Sequence, residues 1–188
     1  MRGGVSQCSN RFAAANNRYI ENFNDKQEES FVIYLDVNNL YGYVMMEVLP
    51  HSQFRWEEDF DIATKFWDVP DDGDVGYFLE VDLEYPKYLH DAHPDLPFCA
   101  EHRSAPGSKQ QKLMTTLHDK EKYVMHYRAL KQALKHGLIL KKIHRVLKFE
   151  RSAWLKPYID FNSARRKKTK NKFKKIISYS IMLCMKKP

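Results

Sequence analysis

The sequence has few cysteines and no long apolar run. Its 188 residues contain three cysteines, Cys8, Cys99 and Cys184, too few and too far apart for a disulfide framework or a paired-cysteine zinc site. This usage is typical of a reducing compartment. No N-terminal apolar segment of the signal-peptide kind and no apolar run of about 18 residues is present. The sequence therefore predicts an intracellular protein that does not span a membrane.

Global disorder is also excluded by composition. Hydrophobic residues make up 43% of the chain and aromatic residues 13%, which is enough to form a core. The length suits one domain or one lobe of a larger enzyme.

Positive charge is concentrated near the C-terminus. Residues 160–188 contain ten basic residues and one acidic residue, a net charge of +9, which leaves −2 for the other 159 residues because the whole chain carries +7. A basic segment on a nearly neutral body indicates a polyanionic partner such as nucleic acid or phosphate. The alternative is a solvated basic tail or a nuclear-import signal.

The hydrophobic pattern predicts an α+β fold. Phe31–Leu35 is a continuous apolar run of strand length that ends at Asp36, and Tyr77–Leu83 alternates as a half-buried strand does. We expect these two strands to pair, with antiparallel strands around Asp36 and covering helices.

The second half of the chain predicts two helices separated by a strand. Asp119–His136 has helical spacing, with a core stripe of Tyr123, His126, Tyr127 and Leu130, and Gly137 ends it. Leu138–Phe149 is predicted as a strand. Asn162 can cap the last helix, whose first turns are basic.

Asp36 is the strongest candidate for chemistry. A buried strand would fix its carboxylate, and Val37–Gly42 turns at once through polar residues whose backbone N–H groups can face phosphates. The alternative is an aspartate that only caps a helix or turn.

The stretch from Asp36 to Gly42 resembles motif A of family B DNA polymerases, an aspartate, two variable residues and Ser-Leu-Tyr-Pro. The resemblance implies that Asp36 binds the catalytic metals, that Asn38–Leu40 form the phosphate turn, and that Tyr41 excludes ribonucleotides. Asn39 stands for the serine and Gly42 for the proline. This version is similar to that of polymerases from eukaryotic self-replicating mobile elements.

Other segments match the protein-primed branch of this family in the same order. Arg2-Gly3-Gly4 resembles its Tyr-x-Gly-Gly motif, with Met1 in place of the tyrosine, and Gly76–Tyr85 resembles the palm strand after motif A. Tyr123–Phe161 resembles the approach to the fingers. The resemblance implies a template-contacting segment (1–30), a palm portion (31–150) and the root of the fingers (151–188).

The resemblance also implies further binding residues and partners. The chain would bind magnesium, deoxynucleoside triphosphates, a DNA template and primer, and a terminal priming protein. For a mobile-element protein, the nucleus is a plausible location. Besides the motif A turn, nucleotide binding is expected of Lys167, Lys168, Lys170, Lys174 and Lys175, and DNA binding of Arg2, Gly3, Gly4, Arg165 and Arg166.

Two elements of the resembled motifs do not appear in the sequence. Residues 179–185 stand where the lysine and Asn-Ser pair of motif B should follow, and the Asp-Thr-Asp of motif C is absent. Two-metal nucleotidyl transfer needs a second carboxylate. Asp59–Asp61 and Asp72–Asp74 are predicted to be exposed loop residues rather than substitutes. We therefore expect an incomplete polymerase that is inactive alone; the alternative is a non-catalytic nucleic-acid-binding remnant.

A zinc site is a further alternative. His90, His93, Cys99 and His102 have tolerable spacing, but three prolines interrupt the segment and only one thiolate is available. The sequence favours the polymerase interpretation.

Overall fold

The computed structural model describes residues 5, 8, 10–58 and 66–169. In chain order the elements are α1 (Leu40–Met46), β1 (Leu49–Glu57), β2 (Val75–Glu84), a short 3-10 helix (Lys87–Leu89), β3 (Glu101–Ser104), β4 (Gln111–Met114), β5 (Lys120–His126), α2 (Tyr127–Lys135), β6 (Ile139–Ser152) and α3 (Lys156–Lys168). The chain divides into two compact units, Met1–Asn38 with His93–Thr116, and Asn39–Ala92 with Leu117–Pro188.

The second unit is built on a four-stranded antiparallel sheet with the order β1-β6-β2-β5. β2 lies inside this sheet, between β5 and β6, and its side chains alternate as the sequence predicts. Leu79 pairs with Met125 on one side and Val146 on the other, and all three are buried. The predicted strands at Tyr77–Leu83 and Leu138–Phe149 are therefore confirmed, and the α+β class with them.

The core of this unit joins the sheet to its helices. Leu130 and Ala133 of α2 and Ile159 of α3 are fully buried, as are Phe149 and Leu79 of the sheet. Burying side chains of this size contributes about 1.5–3 kcal/mol each for the larger aliphatic and aromatic ones.

The first unit contains the β3–β4 hairpin and a loop closed on itself. Asn16 and Ser30 form an isolated bridge, with the Ser30 amide donating to the Asn16 carbonyl at 2.7 Å. The Asn16 carboxamide donates to the Asn24 carbonyl at 2.9 Å and so fixes the residues between.

The predicted strand at Phe31–Leu35 is wrong. These residues belong to no strand, and all five side chains are exposed, Tyr34 to 91% and Leu35 to 86%. A strand needs a hydrogen-bonded neighbour. The expected neighbour cannot supply one, because both edges of β2 are already occupied by β5 and β6. Asp36 is therefore not at the end of a central strand.

The predicted helix at Asp119–His136 is wrong in its first half. Tyr123 and Met125 are buried on alternate positions of β5, and the helix begins only at Tyr127. Sheet pairing with β2 overrides the helical spacing. The predicted stop is confirmed, since Gly137 has φ +97°, a conformation that glycine adopts without strain.

The last helix begins earlier than predicted. α3 starts at Lys156, with Pro157 in its first turn, where a missing N–H costs no hydrogen bond. Asn162 lies inside the helix and donates to the Tyr158 carbonyl at 2.8 Å rather than capping it.

Among the residues that the structure describes, no helix is long and apolar enough to cross a bilayer.

Candidate nucleotide and nucleic-acid site

The turn into α1 is formed by Asn39. This residue has φ 57° and ψ 41°, the left-handed conformation that asparagine tolerates better than most residues, and its carbonyl accepts the Tyr43 amide at 3.0 Å. Leu40 and Tyr41 follow as the first helical residues, with their side chains exposed. The chain thus turns at Asn39 before α1, and the Tyr41 side chain is 55% exposed.

Gly42 is the one buried residue of α1, and the Asn39 side chain lies against it. A Cβ placed on Gly42 would lie 2.3 Å from Asn39 Nδ2 and 2.8 Å from its Cγ, distances that real Cβ atoms do not show. A residue with a side chain at position 42 therefore requires Asn39 to move.

Asp36 lies outside any helix or strand, and its side chain is exposed. It forms no hydrogen bond or ion pair with any other residue in the described part of the chain. The boundary between the two units falls between Asn38 and Asn39, so Asp36 and Asn38 belong to the first unit and Tyr41 to the second.

The fit of these residues to metal ions is partial. An exposed carboxylate without a protein partner is a suitable oxygen ligand for a hard divalent cation, so Asp36 fits as one ligand. Within the described ranges, no three His, Cys, Asp or Glu side chains are grouped so that they could hold a metal ion. In these ranges, His90, His93, Cys99 and His102 are therefore not grouped as a zinc site requires.

The acidic residues of β2 are engaged by basic partners. Glu80 accepts from Arg145 Nε at 2.6 Å and from its second nitrogen at 3.2 Å, and this hydrogen bonding lowers the pKa of Glu80. Asp82 accepts the Lys122 amide at 2.8 Å, the main cause of its lowered pKa, and lies 2.7 Å from His144 Nε2. A cation would have to displace these partners.

The described part of the basic segment forms the end of α3. Its last turn consists of Arg165, Arg166, Lys167 and Lys168, all exposed. The Arg165 guanidinium lies over the Phe161 ring, 5.0 Å from its centroid, which leaves the charge at the surface. Cations in the last turn also interact favourably with the helix dipole.

Several predicted residues lie outside the described residues. These are Arg2, Gly3 and Gly4, the acidic Asp59–Asp61, the lysines Lys170, Lys174 and Lys175, and the motif B region at 179–185. Asp72 and Asp74 are described, and both are exposed as predicted.

A cleft of about 1130 Å³ in the second unit was not predicted from the sequence. It is lined by Tyr43 of α1, Phe78 of β2, His126, Arg128 and the exposed Trp67. These residues are scattered through the chain, so no local pattern indicates the cleft. Burial, with the charges of Arg151 and Arg128, lowers the pKa of His126 to about 4.

Comparison with known proteins adds an independent finding. The family model for DNA polymerase type B, organellar and viral, matches residues 17–182, which is most of the chain. No curated protein and no solved structure shows significant similarity. The chain belongs to the organellar and viral family of type B DNA polymerases.

Proposed function

We propose that this chain contributes the part of a template-directed DNA polymerase that receives the incoming deoxynucleotide. The observation that carries the proposal is the family match over residues 17–182, which includes the exposed Asp36 and the left-handed turn at Asn39. A polymerase family implies DNA and deoxynucleoside triphosphates as partners and divalent cations as cofactors.

Asp36 is the proposed metal ligand. Its carboxylate is exposed and has no protein partner among the described residues, so cation binding would displace only water. Magnesium is the proposed cation, since it prefers carboxylate oxygens and the phosphates of a nucleotide. When bound, such ions neutralise charge on the transferring phosphate.

The turn after Asp36 is proposed to hold the nucleotide. Asn38, Asn39 and Leu40 would present backbone N–H groups to the phosphates, and Tyr41 would lie against the sugar. The Tyr41 side chain is 55% exposed, so a sugar can reach its ring. A ring in van der Waals contact with the 2′ carbon leaves no room for a 2′-hydroxyl.

The basic end of α3 is proposed to bind phosphates. Arg165 and Arg166 would contact the DNA backbone, and Lys167 and Lys168 the triphosphate or nearby backbone phosphates. The corresponding proposals for Lys170, Lys174, Lys175, Arg2, Gly3 and Gly4 rest on the sequence alone. A terminal priming protein as partner and an origin in a mobile element are proposed on the same basis.

Nucleotide binding tests this function. We would titrate the 188-residue chain with dATP carrying a fluorophore on its γ-phosphate, with magnesium present, and compare Asp36→Asn with Asp25→Asn. Both substitutions remove one negative charge, and both aspartates are exposed and belong to the first unit, so Asp25→Asn is a matched control.

We expect Asp36→Asn to weaken binding about tenfold or more, about 1.4 kcal/mol, and Asp25→Asn to change it less than twofold. Equal affinities for the two variants would contradict the role of Asp36. DNA binding by a chain that binds no nucleotide would favour the non-catalytic alternative instead.

A further inference from the structure

We propose that the cleft beside α1 and α2 binds unpaired nucleotides of a single DNA strand, with a base stacked on Trp67 and phosphates bound by Arg128 and Lys135. These three residues line the cleft of about 1130 Å³, and all of its lining residues belong to the second unit. The cleft is a different site from the one proposed around Asp36, and its role does not depend on that function.

The cleft lies on the side of α1 away from Tyr41. The residues of α1 that line it are Tyr43, Val44 and Glu47. Successive residues of a helix are rotated by about 100°, so the Tyr43 side chain points about 200° around the axis from that of Tyr41. A strand in the cleft therefore leaves free the face of α1 that carries Tyr41.

Trp67 provides a flat surface that is already held in place. Its indole stacks on the Phe66 ring, with the centroids 5.0 Å apart and the planes inclined by 28°, and Phe66 is fully buried. Trp67 itself is 47% exposed and lines the cleft. An aromatic ring that is packed against the core and still accessible suits stacking with a base, and it accepts any base because each has a flat π-face.

The wall of the cleft formed by α2 carries positive charge. Arg128, Lys131 and Lys135 recur at helical spacing, and all three line the cleft. Lys131 is fixed, because its Nζ donates to the Val69 carbonyl at 2.6 Å. Arg128 and Lys135 are exposed. Their separation along the helix axis is about 10 Å, which allows them to contact different phosphates of one strand.

The Arg128 guanidinium can accept a phosphate without breaking a short hydrogen bond. Its distances to the carboxylates of Glu47 and Asp71 are 3.8 and 3.9 Å, longer than hydrogen bonds. A phosphate oxygen can approach a guanidinium to about 2.7–2.9 Å in a charge-assisted hydrogen bond. The two long ion pairs orient Arg128 toward the cleft and leave its donors available.

The electrostatic field at the base of the cleft favours an anion. His126 lines the cleft, and its pKa is lowered to about 4, first by burial and then by the charges of Arg151 and Arg128, with Asp71 opposing. The Arg151 guanidinium donates to two backbone carbonyls, so these contacts do not neutralise its charge. The positive charges that disfavour a protonated imidazole stabilise a phosphate.

These features together favour a single strand over other anionic partners. A duplex keeps its bases paired and stacked, so it cannot offer one to Trp67, and a mononucleotide is too short to reach both Arg128 and Lys135. An acidic protein segment could bind the two cations. Its apolar side chains, however, would pack on an aliphatic residue at position 67 as well as on an aromatic one, whereas a base needs a ring.

The test uses three ligands and two readouts. We would titrate the 188-residue chain with a five-nucleotide thymidylate strand, with thymidine monophosphate and with the peptide Glu-Glu-Leu-Phe-Glu-Glu. NMR follows the indole N–H signal of Trp67, which is assigned by its loss in Trp67→Phe. Affinities come from the fluorescence anisotropy of the labelled ligands. They are measured in a background that lacks the basic end of α3, with glutamine at Arg165, Arg166, Lys167 and Lys168.

Each variant of the cleft has a control elsewhere. The cleft variants are Trp67→Phe, Trp67→Leu, Arg128→Gln and Lys135→Gln. Trp154→Leu is the control for the aromatic residue, because Trp154 is 50% exposed and does not belong to the lining. Arg18→Gln is the control for the cations, because Arg18 is exposed and pairs with a carboxylate at 3.4 Å as a surface residue of the first unit.

We expect the strand to shift the Trp67 signal, to leave the Trp154 signal in place, and to bind about tenfold or more tightly than the mononucleotide. Trp67→Phe should keep the affinity for the strand within about threefold, whereas Trp67→Leu should weaken it about fivefold or more. Arg128→Gln and Lys135→Gln should each lower the slope of log affinity against log salt by about one. The two controls and Asp36→Asn should change neither quantity, which separates this site from the proposed nucleotide site.

Several results would overturn the proposal. These are a Trp67 signal that the strand does not move, equal affinities for the strand and the mononucleotide, and equal affinities of Trp67→Phe and Trp67→Leu for the strand. A signal that moves with the peptide alone would assign the cleft to a protein partner and would overturn it too. Thermal unfolding checks each variant, and if Trp67→Leu fails to fold, unchanged salt slopes in Arg128→Gln and Lys135→Gln would refute the site by themselves.

Discussion

Arg145 donates to both carboxylate oxygens of Glu80, at 2.6 and 3.2 Å, across the pair formed by β2 and β6. The same guanidinium lies over the Trp56 ring, 5.1 Å from its centroid. On the same strand, Asp82 is held by the Lys122 amide and His144. Glu80 and Asp82 of β2 therefore have partners within the sheet, and a cation binding to either carboxylate would have to displace them.

The first prediction follows from this arrangement. We expect the 188-residue chain to extend no primer with magnesium or manganese, because in-line transfer needs two carboxylates to hold two cations. The measurement is primer extension by the chain and by Asp36→Ala. Extension that Asp36→Ala abolishes would contradict the prediction and make Glu80→Gln and Asp82→Asn the next variants to assay.

The second prediction concerns pH. Burial and the charges of Arg151 and Arg128, opposed by Asp71, lower the pKa of His126 from 6.5 to about 4 in the folded chain. Between these pH values the unfolded chain therefore binds more protons than the folded chain. The contribution of His126 to the free energy of unfolding is fully present above pH 6.5 and is lost as pH decreases toward 4. The loss should be about 1–2 kcal/mol once solvent screening is allowed for.

Urea unfolding at pH 7.5 and 4.5 measures this loss. His126→Gln should reduce the difference in the free energy of unfolding between pH 7.5 and 4.5. His118→Gln, at an exposed position, should leave that difference unchanged. An unaltered pH dependence in His126→Gln would show that other groups cause the acid sensitivity.

The sequence predicted the parts of the fold that local pattern determines. The alternation at Tyr77–Leu83, the stop at Gly137 and the strand at Leu138–Phe149 are all confirmed. The strand predicted at Phe31–Leu35 is wrong, because an apolar run forms a strand only beside a neighbouring strand, and composition does not say whether one exists. α2 begins later than the sequence predicts, because pairing with β2 decides whether residues 120–126 are strand or helix.

The candidate site was predicted in part. The polar residues after Asp36 predict a turn, and Asn39 forms one before α1; the roles of Asn39 and Tyr41 in binding a nucleotide stay predictions. The cleft lined by Tyr43 and His126 could not be predicted, because it joins residues that only the tertiary fold brings together. The contact between the Asn39 side chain and Gly42 likewise could not be predicted, because it depends on the conformation of the turn.

The third prediction concerns a buried arginine. Arg151 is 3% exposed, and its guanidinium donates to the carbonyls of Pro70 and Asp71 at 2.9 and 3.0 Å while lying over the Tyr127 ring. Arg151→Lys cannot reach both carbonyls in the same planar geometry, so we expect a loss of about 2–3 kcal/mol in the free energy of unfolding. Urea unfolding provides the measurement.

Arg128→Lys is the matched control, because that side chain is 42% exposed and its ion pairs with Glu47 and Asp71 are 3.8 and 3.9 Å long. A change below about 0.5 kcal/mol is expected there. Equal effects of the two substitutions would refute the structural role assigned to Arg151.

The fourth prediction concerns DNA. Duplex binding by the chain should be non-specific and should weaken steeply with salt if the basic segment contacts phosphates as proposed. Changing Arg165, Arg166, Lys167 and Lys168 to glutamine should reduce the slope of log affinity against log salt by about two to three.

A control variant carries glutamine at four exposed lysines elsewhere, Lys26, Lys87, Lys109 and Lys112, and has the same net charge. Its slope should stay within about one of the original. If both variants reduced the slope equally, the slope would depend only on net charge. That result would contradict the proposal that the end of α3 contacts DNA phosphates.

The central proposal is that Asp36 binds a divalent cation. Manganese is paramagnetic and broadens the NMR signals of nearby amides, so its position can be read directly from the spectrum of the chain with dATP. We predict that substoichiometric manganese broadens the amides of residues 35–41 first and that Asp36→Asn abolishes this effect. Broadening centred on Asp72 and Asp74, or unchanged in Asp36→Asn, would contradict the account.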